Sequence, residues 1–349
     1  MTMDFVERHD TSAQVPTLSH APYRVSVREY VKFRDQGYLV VRNLVGQSDV
    51  DELNQHMDDL MAGQVSIPKE DFRGFRANWP EKPADWLRVH MLHRLLPIHE
   101  RFMLHPRVLD VLEAIIGPDV LALQTMLFFK QPGQEGQGYH QDSYYIPTLP
   151  DTLCGAWLAL TRADEANGCL WFTVGSQHEP VYPDIQGQAV ERHSNIFDIG
   201  TINGASNTDV HHNGLTRIAR KYPGREVKVE AEPGDVVFFG GHVLHRSHTN
   251  RANYPRRSFV AHYCNARSLV PWNHGATYEP DQNGAANNMH ILARGSTHLP
   301  FAQPKFGTPC AASSAPTGRA ASAAPMGMMG NDDDMLTLSP HGMGEDDDD

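Results

Sequence analysis

The stretch GYHQDSYYIP, residues 138–147, sets His140 and Asp142 two apart among residues that read as strand. In a strand, side chains i and i+2 point to the same face, so this pair can converge on one ion. With 20 histidines in 349 residues, composition alone yields a pair or two of this kind, and the chain holds a second, His56-Met57-Asp58. That one lies in an amphipathic helical pattern, where i and i+2 stand about 200° apart around the axis and diverge. Geometry leaves only His140 and Asp142 as candidates. A third ligand has to come from a distant strand, and EPGDVVFFGGHVLHRSHTNRANYPRRSF offers His242, His245 and His248, followed by Arg256 and Arg257. Two histidines and one carboxylate, leaving three adjacent coordination positions open, form the ligand set of non-haem Fe(II) oxygenases. A downstream arginine suits such chemistry, because a dicarboxylate co-substrate needs a bidentate cation for its far end. The competing reading is that these histidines are sheet-surface and turn residues, which is common in a His-rich chain.

The elements that must position these residues fall into two textures. VREYVKFRDQGYLVVRNLVGQSDVDELNQHMDDLM reads as helix, strand, helix. Val27, Tyr30, Val31 and Phe33 recur at helical spacing and Gly37 stops that helix, while Ser48 is the expected N-cap of the second, whose stripe is Val50, Leu53, His56, Met57 and Leu60. HPRVLDVLEAIIG reads as a helix ending at Gly117. From Val120 onward, short β-rich runs alternate with Pro/Gly/Asp/Asn turns: VLALQTMLFFK, GYHQDSYY, LCGAWLAL, CLWFTV, VKVE, DVVFF, HVLHRSH and RSFVAHYC. About eight strands with turns this short predict a sandwich or jelly roll. The exception is the polar gap 175–226, with His193, His211, His212, Arg217, Arg220, Lys221 and Arg225, a length that in a compact β domain is usually functional or mobile. The expected organisation is an irregular segment 1–25, a helical portion 26–117, a β core 118–268 carrying the 175–226 insertion, an extension 269–308, and a disordered tail 309–349.

Composition excludes several functions. Of the net charge of −12, residues 331–349 carry −8 (seven Asp, one Glu, no Lys or Arg), which leaves an unremarkable −4 for the rest. No basic patch points to nucleic acid, and no run of about 18 apolar residues points to a membrane span. The start, MTMDFVERHD, has no basic or apolar leader signature. Cys154, Cys169, Cys264 and Cys310 are scattered without metal or disulfide spacing, as in reduced thiols of a cytoplasmic protein. A small-molecule substrate is the expected partner; the oligomeric state is left open.

Five ordered motifs carry a family resemblance: QTMLFFKQPG, HQDSYYIP, WLALTRADEANGCLWFTVGSQH, GDVVFF and LHRSHTNRANYPRR. In order and spacing they resemble the phytanoyl-CoA dioxygenase family of Fe(II)/2-oxoglutarate oxygenases, and FRDQGYLVVRNLV with the following amphipathic helix is similar too. The resemblance spans about residues 26–265. It implies a double-stranded β-helix, a cupin-like jelly roll that is mainly β with flanking helices. It assigns His140, Asp142 and His245 to the metal, so that His242 and His248 drop out and no catalytic side chain is needed beyond the ligands. Arg256, eleven residues after His245, and Ser247 match the positions that bind 2-oxoglutarate, and Arg257 becomes a neighbour. Met126 and Trp157 match positions lining the co-substrate pocket, and Gln141 the residue between the ligands. Asn167-Gly168 and Gly175-Ser176 match turns. Tyr144 and Tyr145 are candidates for contact with the primary substrate.

The cofactors so implied are Fe(II), 2-oxoglutarate and O2, with succinate and CO2 released as a substrate C–H is hydroxylated. Related halogenases carry Gly or Ala where this chain has Asp142, which favours hydroxylation. Desaturation, epimerisation and cyclisation begin from the same hydrogen abstraction. Two other classes compete: a Zn-dependent hydrolase, which would leave Arg256 and Ser247 without a role, and a non-catalytic jelly-roll binding protein. The segments 175–226 and 266–349 depart from the family pattern, and substrate choice is not legible there.

Overall fold

The longest strand shows how the layers arise. β3, Val120–Lys130, is buried along its whole length, so both of its faces must be covered. A register shift between Ala122 and Gln124 breaks its pairing with the neighbouring strand, and an extra residue at such a point moves the alternation of side chains by one. Val120 and Ala122 before the shift, and Leu127 and Phe129 after it, join one apolar cluster; Met126 and Phe128 turn to the opposite one.

The computed structural model describes residues 21–65, 88–184, 200–205, 213–268, 270, 290–297 and the backbone of 303–304. Expectations for residues 1–20, His193, His211, His212, Cys310 and the tail 309–349 lie outside the described residues. The larger sheet runs β1 (Tyr38–Val41), β7 (Val236–Gly240), β4 (Cys154–Ala159), β9 (Arg256–Asn265), β3, β10 (Ile291–Arg294) and β11 (Gln303–Pro304), with β2 (Arg88–His90) also paired to β3. The smaller sheet runs β6 (Glu226–Val229), β5 (Leu170–Thr173), β8 (His245–Ser247). Between the sheets lie Tyr38, Trp157 and Phe239 from one side and Leu170, Phe172 and Val229 from the other, with Tyr38 and Phe172 stacked at 4.8 Å. The outer face of the larger sheet is covered by α2 (Gln47–Met61), α3 (Pro97–Met103) and α4 (Pro106–Ile116) through Leu53, Met57, Phe102, Leu109 and Leu112, each worth about 1.5–3 kcal/mol when fully buried. The result is the expected mainly β jelly roll with flanking helices.

Three local expectations need correcting. α1, Val27–Gln36, forms and ends at Gly37 (φ 79), but its apolar stripe is not its anchor: Val27, Tyr30 and Val31 are exposed and only Phe33 is buried. The reciprocal capping box of Ser26 and Glu29 and the left-handed Gly37 define this helix from its ends. α2 starts two residues earlier than the Ser48 cap implied, with Gly46 as N-cap and no side-chain cap. The third concerns GYHQDSYY, which is not a strand. His140 makes a single antiparallel bridge to His245, and Asp142 opens a one-turn helix, α5 (Asp142–Tyr145). The turn is fixed by backbone bonds from Ser143 N to Gly241 O and from Ile146 N to Asp142 O. Gln141 between the two ligands is itself extended (φ −119, ψ 123), so His140 and Asp142 still fall to one side as i and i+2, and the chain turns into the helix only at Asp142.

The described part of the 175–226 segment is packed. It contains a 3-10 turn at Ser176–His178 and α6 (Thr216–Ala219), and Leu215, Ile218 and Ala219 bury against Tyr139 and Leu244. No helix among the described residues is long and apolar enough to cross a membrane.

Candidate metal centre

His140 and His245 are locked together by their backbones, His140 N donating to His245 O at 3.1 Å and His245 N to His140 O at 3.3 Å. Each ring donates its Nδ1–H to the carbonyl two residues earlier, Gly138 at 2.9 Å and Val243 at 3.0 Å. That bond fixes the tautomer and leaves each Nε2 lone pair free. Both lone pairs face Asp142 Oδ1, at 3.6 Å from His140 and 3.7 Å from His245. The other carboxylate oxygen, Oδ2, accepts from His262 Nε2 at 2.9 Å.

All three donor atoms lie within 4.8 Å of one another on buried residues. Metal–ligand bonds of about 2.1 Å place adjacent donors about 3 Å apart, so a small contraction encloses a divalent ion. Burial, then the neighbouring His245 ring, push the His140 imidazole down to about 3, so it is neutral at neutral pH. Burial alone would raise Asp142, but His245 and His262 hold its carboxyl well below the usual range. Two imidazoles that present Nε2 and one carboxylate fit Fe(II).

The competing histidines are engaged elsewhere. His242 bonds Glu179 O and Asp151 Oδ2, both at 2.7 Å, and the His248 ring stands edge-on to Trp171 at 5.2 Å. The control pair diverges: His56 Nε2 meets His99 Nε2 at 2.9 Å, and Asp58 takes the guanidinium of Arg257 at 2.5 Å.

A second compartment adjoins the centre, where β9 and β3 run side by side. On β9, Arg256 faces the space between the sheets, while Arg257 points to the helices and to Asp58. The buried Arg256 guanidinium lies 5.6 Å from the Trp157 ring and 5.9 Å from Phe128. Its one hydrogen bond among the described residues runs from Nη1 to Gly168 O at 2.9 Å, and its Nε is buried without a partner. Burial pushes its pKa down to about 10. Met126 lies in the same apolar cluster as Trp157, and buried Ser247 accepts from Gln137 N at 3.2 Å. Gly168, with φ +81, is required here, because a Cβ would stand 2.3 Å from His248 O.

Gln141 is not brought to this compartment. Its amide is spent on Pro180 O, His242 O and Tyr182 N, at 3.0, 2.9 and 3.2 Å, so it braces the extended link between the ligands. Tyr145 is 38% exposed with its ring 6.5 Å from that of His140, and Tyr144 stacks edge-on to it at 5.1 Å. Both therefore stand at the rim of the centre.

Residues not singled out from sequence also matter. Gln124 Nε2 lies 3.2 Å from His262 Nδ1, which leaves His262 Nε2–H to donate to Asp142; the shared parity of 256, 258, 260 and 262 on one strand was the available signal. Lys130, buried opposite Arg256, closes an otherwise apolar strand end and was visible as that anomaly. Arg88, whose positive charge acts on both His140 and Tyr145, sits on a three-residue strand with no readable pattern.

The phytanoyl-CoA dioxygenase family model matches residues 33–258. A probable phytanoyl-CoA dioxygenase of Caenorhabditis elegans is 27% identical over 252 residues, covering 67% of this chain and 73% of that protein. A peroxisomal phytanoyl-CoA dioxygenase of Rattus norvegicus is 26% identical over 248 residues, covering 68% of each. EctD from S. alaskensis shares the fold: with bound Fe it superposes at TM-score 0.55 and 17% identity, covering 80% of this chain and 88% of that one. With 2-oxoglutarate and 5-hydroxyectoine it superposes at 0.53 and 18%, with the same coverage. Matched by that family model over well more than half its length, this chain belongs to the phytanoyl-CoA dioxygenase family and is an oxidoreductase that works with iron, 2-oxoglutarate and dioxygen.

Proposed function

We propose that this oxygenase hydroxylates an aliphatic C–H of a small-molecule metabolite, with His140, Asp142 and His245 holding the metal and Arg256 the distal carboxylate of 2-oxoglutarate. One observation supports this above others: three free donor atoms converge beside a buried guanidinium that has no acid of its own among the described residues. When bound, iron with 2-oxoglutarate and dioxygen supplies the oxidising power that yields succinate, CO2 and an alcohol. The chain's own residues do the rest. The Nδ1–H bonds of His140 and His245 hold both rings in register, and the His262 bond keeps one Asp142 oxygen turned to the centre. Arg256 supplies a fork for a carboxylate at the far end of the pocket, and Ser247 a hydroxyl beside it. Trp157, Met126 and Phe128 exclude water there, which strengthens that ion pair. Tyr144 and Tyr145, at the rim, are placed to meet the primary substrate.

The location we read for the protein is the cytoplasm, in keeping with free, buried thiols at Cys154, Cys169 and Cys264. The test of function is substrate-stimulated succinate release across free carboxylates, phosphates and acyl-thioesters. A hydroxylated product with one succinate per turnover supports the reading. A desaturated, epimerised or cyclised product replaces hydroxylation with another outcome of the same centre.

A further inference from the structure

Lys130 and Arg256 are direct cross-strand partners in the β3–β9 ladder, and both are buried, at 1% and 3% exposure. Like charges opposite each other on a sheet repel, and each buried cation is costly unless paired. Neither forms an ion pair with an acid among the described residues. The Lys130 amine donates to His248 O and, at 3.3 Å, to Ser247 Oγ, and its protonated form, which a neighbouring anion would favour, carries a third N–H. Gly168 makes the space, since a Cβ there would stand 2.7 Å from Lys130 Nζ. Two basic groups, a hydroxyl and an uncommitted guanidinium Nε thus share one buried compartment to which the described residues bring no negative charge.

We propose that Lys130 is a second cationic ligand for the distal carboxylate of 2-oxoglutarate, so that the co-substrate is gripped from both strands of the β3–β9 pair. This rests on the functional reading given above. In the absence of an anion, burial and then Arg256 push the Lys130 amine down to about 6, with Cys169 opposing weakly; His248, beside it, is itself depressed. A carboxylate between the two cations removes that repulsion, so the pocket favours 2-oxo acids with a second carboxylate over those that end in a methyl group.

The test compares two probes by calorimetry on Fe(II)-loaded protein without oxygen: 2-oxoglutarate, and 2-oxopentanoate, which lacks the distal carboxylate. Lys130→Met keeps the buried stem and removes the charge; Lys130→Gln keeps donors in its place, and thermal melts report whether each variant is folded. Losing a charge-assisted hydrogen bond should weaken 2-oxoglutarate by about tenfold or more in Lys130→Met, with a smaller loss in Lys130→Gln. Binding of 2-oxopentanoate should stay within about twofold of wild type, because the removed contact is absent from that probe. Equal weakening of both probes, or no weakening of 2-oxoglutarate, overturns the assignment and makes Lys130 a structural residue. Failure of the wild-type protein to bind 2-oxoglutarate at all overturns instead the functional reading.

Discussion

Replacing Arg256 and Arg257 one at a time separates two residues that sequence sets side by side and the fold sends to opposite faces. Arg256 is 3% exposed between the sheets, with a buried unpartnered Nε and one backbone bond. Truncating one member of a buried, hydrogen-bonded charge pair costs on the order of 2–5 kcal/mol, much of it the penalty on the charge left behind. At about 1.4 kcal/mol per factor of ten, Arg256→Ala should raise the 2-oxoglutarate dissociation constant by about thirtyfold at the least. Arg256→Lys should recover little, since an ammonium cannot make the fork. Arg257 pairs with Asp58, whose side chain is 55% exposed, and exposed pairs contribute about 0–1 kcal/mol. Arg257→Ala should therefore lose a little stability and bind 2-oxoglutarate as wild type does. The assay is anaerobic titration of the iron-loaded variants with 2-oxoglutarate, followed by the visible charge-transfer band. A strong effect at 257 with none at 256 would refute the placement of the co-substrate and the register of β9 with it.

Alanine at His140, Asp142 or His245 should abolish iron-dependent 2-oxoglutarate turnover, while His56→Ala and Asp58→Ala retain it; loss of turnover in the control pair sinks the ligand assignment. His262→Ala should weaken metal binding by about 10- to 100-fold by leaving Asp142 Oδ2 unpaired, the usual cost of removing such a support, and unchanged metal affinity would make that bond incidental. Metal-free protein should lose stability on acidification. His90 and His140 are both held at about 3, chiefly by burial, against about 6.5 in the unfolded chain. The unfolded chain therefore takes up the extra protons, and stability present above about pH 6.5 is lost as pH falls toward 3. Near pH 5 the loss amounts to about 2 kcal/mol for each imidazole. Denaturant titrations at pH 7 and pH 5 measure it, and equal stability at both refutes it.

What sequence could show depended on whether a signal was local. The 120–130 strand, the helix ending at Gly117 and the opposite facing of Arg256 and Arg257 all follow from alternation or capping within one segment, and all appear in the structure. Where tertiary contacts decide, local pattern misleads. The exposed face of α1 looked like a core stripe, because periodicity reports amphipathicity and not what the helix packs against. The His140–Asp142 pair was matched to a strand, and Gln141 between them is extended, but the chain turns into α5 at Asp142 and is held there by Gly241, a partner far away in sequence. The metal triad was readable only in part from residues, since three histidines compete near 245. Only the fold shows that His242 is spent on Asp151 and Glu179. The opposition of Lys130 to Arg256 was hidden for a like reason: it depends on a ladder register set by a bulge near residue 123.

The backbone bridge between His140 and His245 has a consequence for how the metal comes and goes. Because main-chain bonds, and not the ion, set the separation of the two imidazoles, the apo-protein already holds its ligands in place. Loading then resembles docking into a finished socket, with no segment left to order around the incoming ion. Stripping the ion with a chelator should leave the fold intact and lower the melting temperature only by mass action, by the amount that free metal concentration and affinity dictate. Re-addition should restore binding without a refolding phase. A centre built in this way can exchange one divalent ion for another during the lifetime of a single folded molecule, which makes metal identity a matter of cellular supply as much as of sequence.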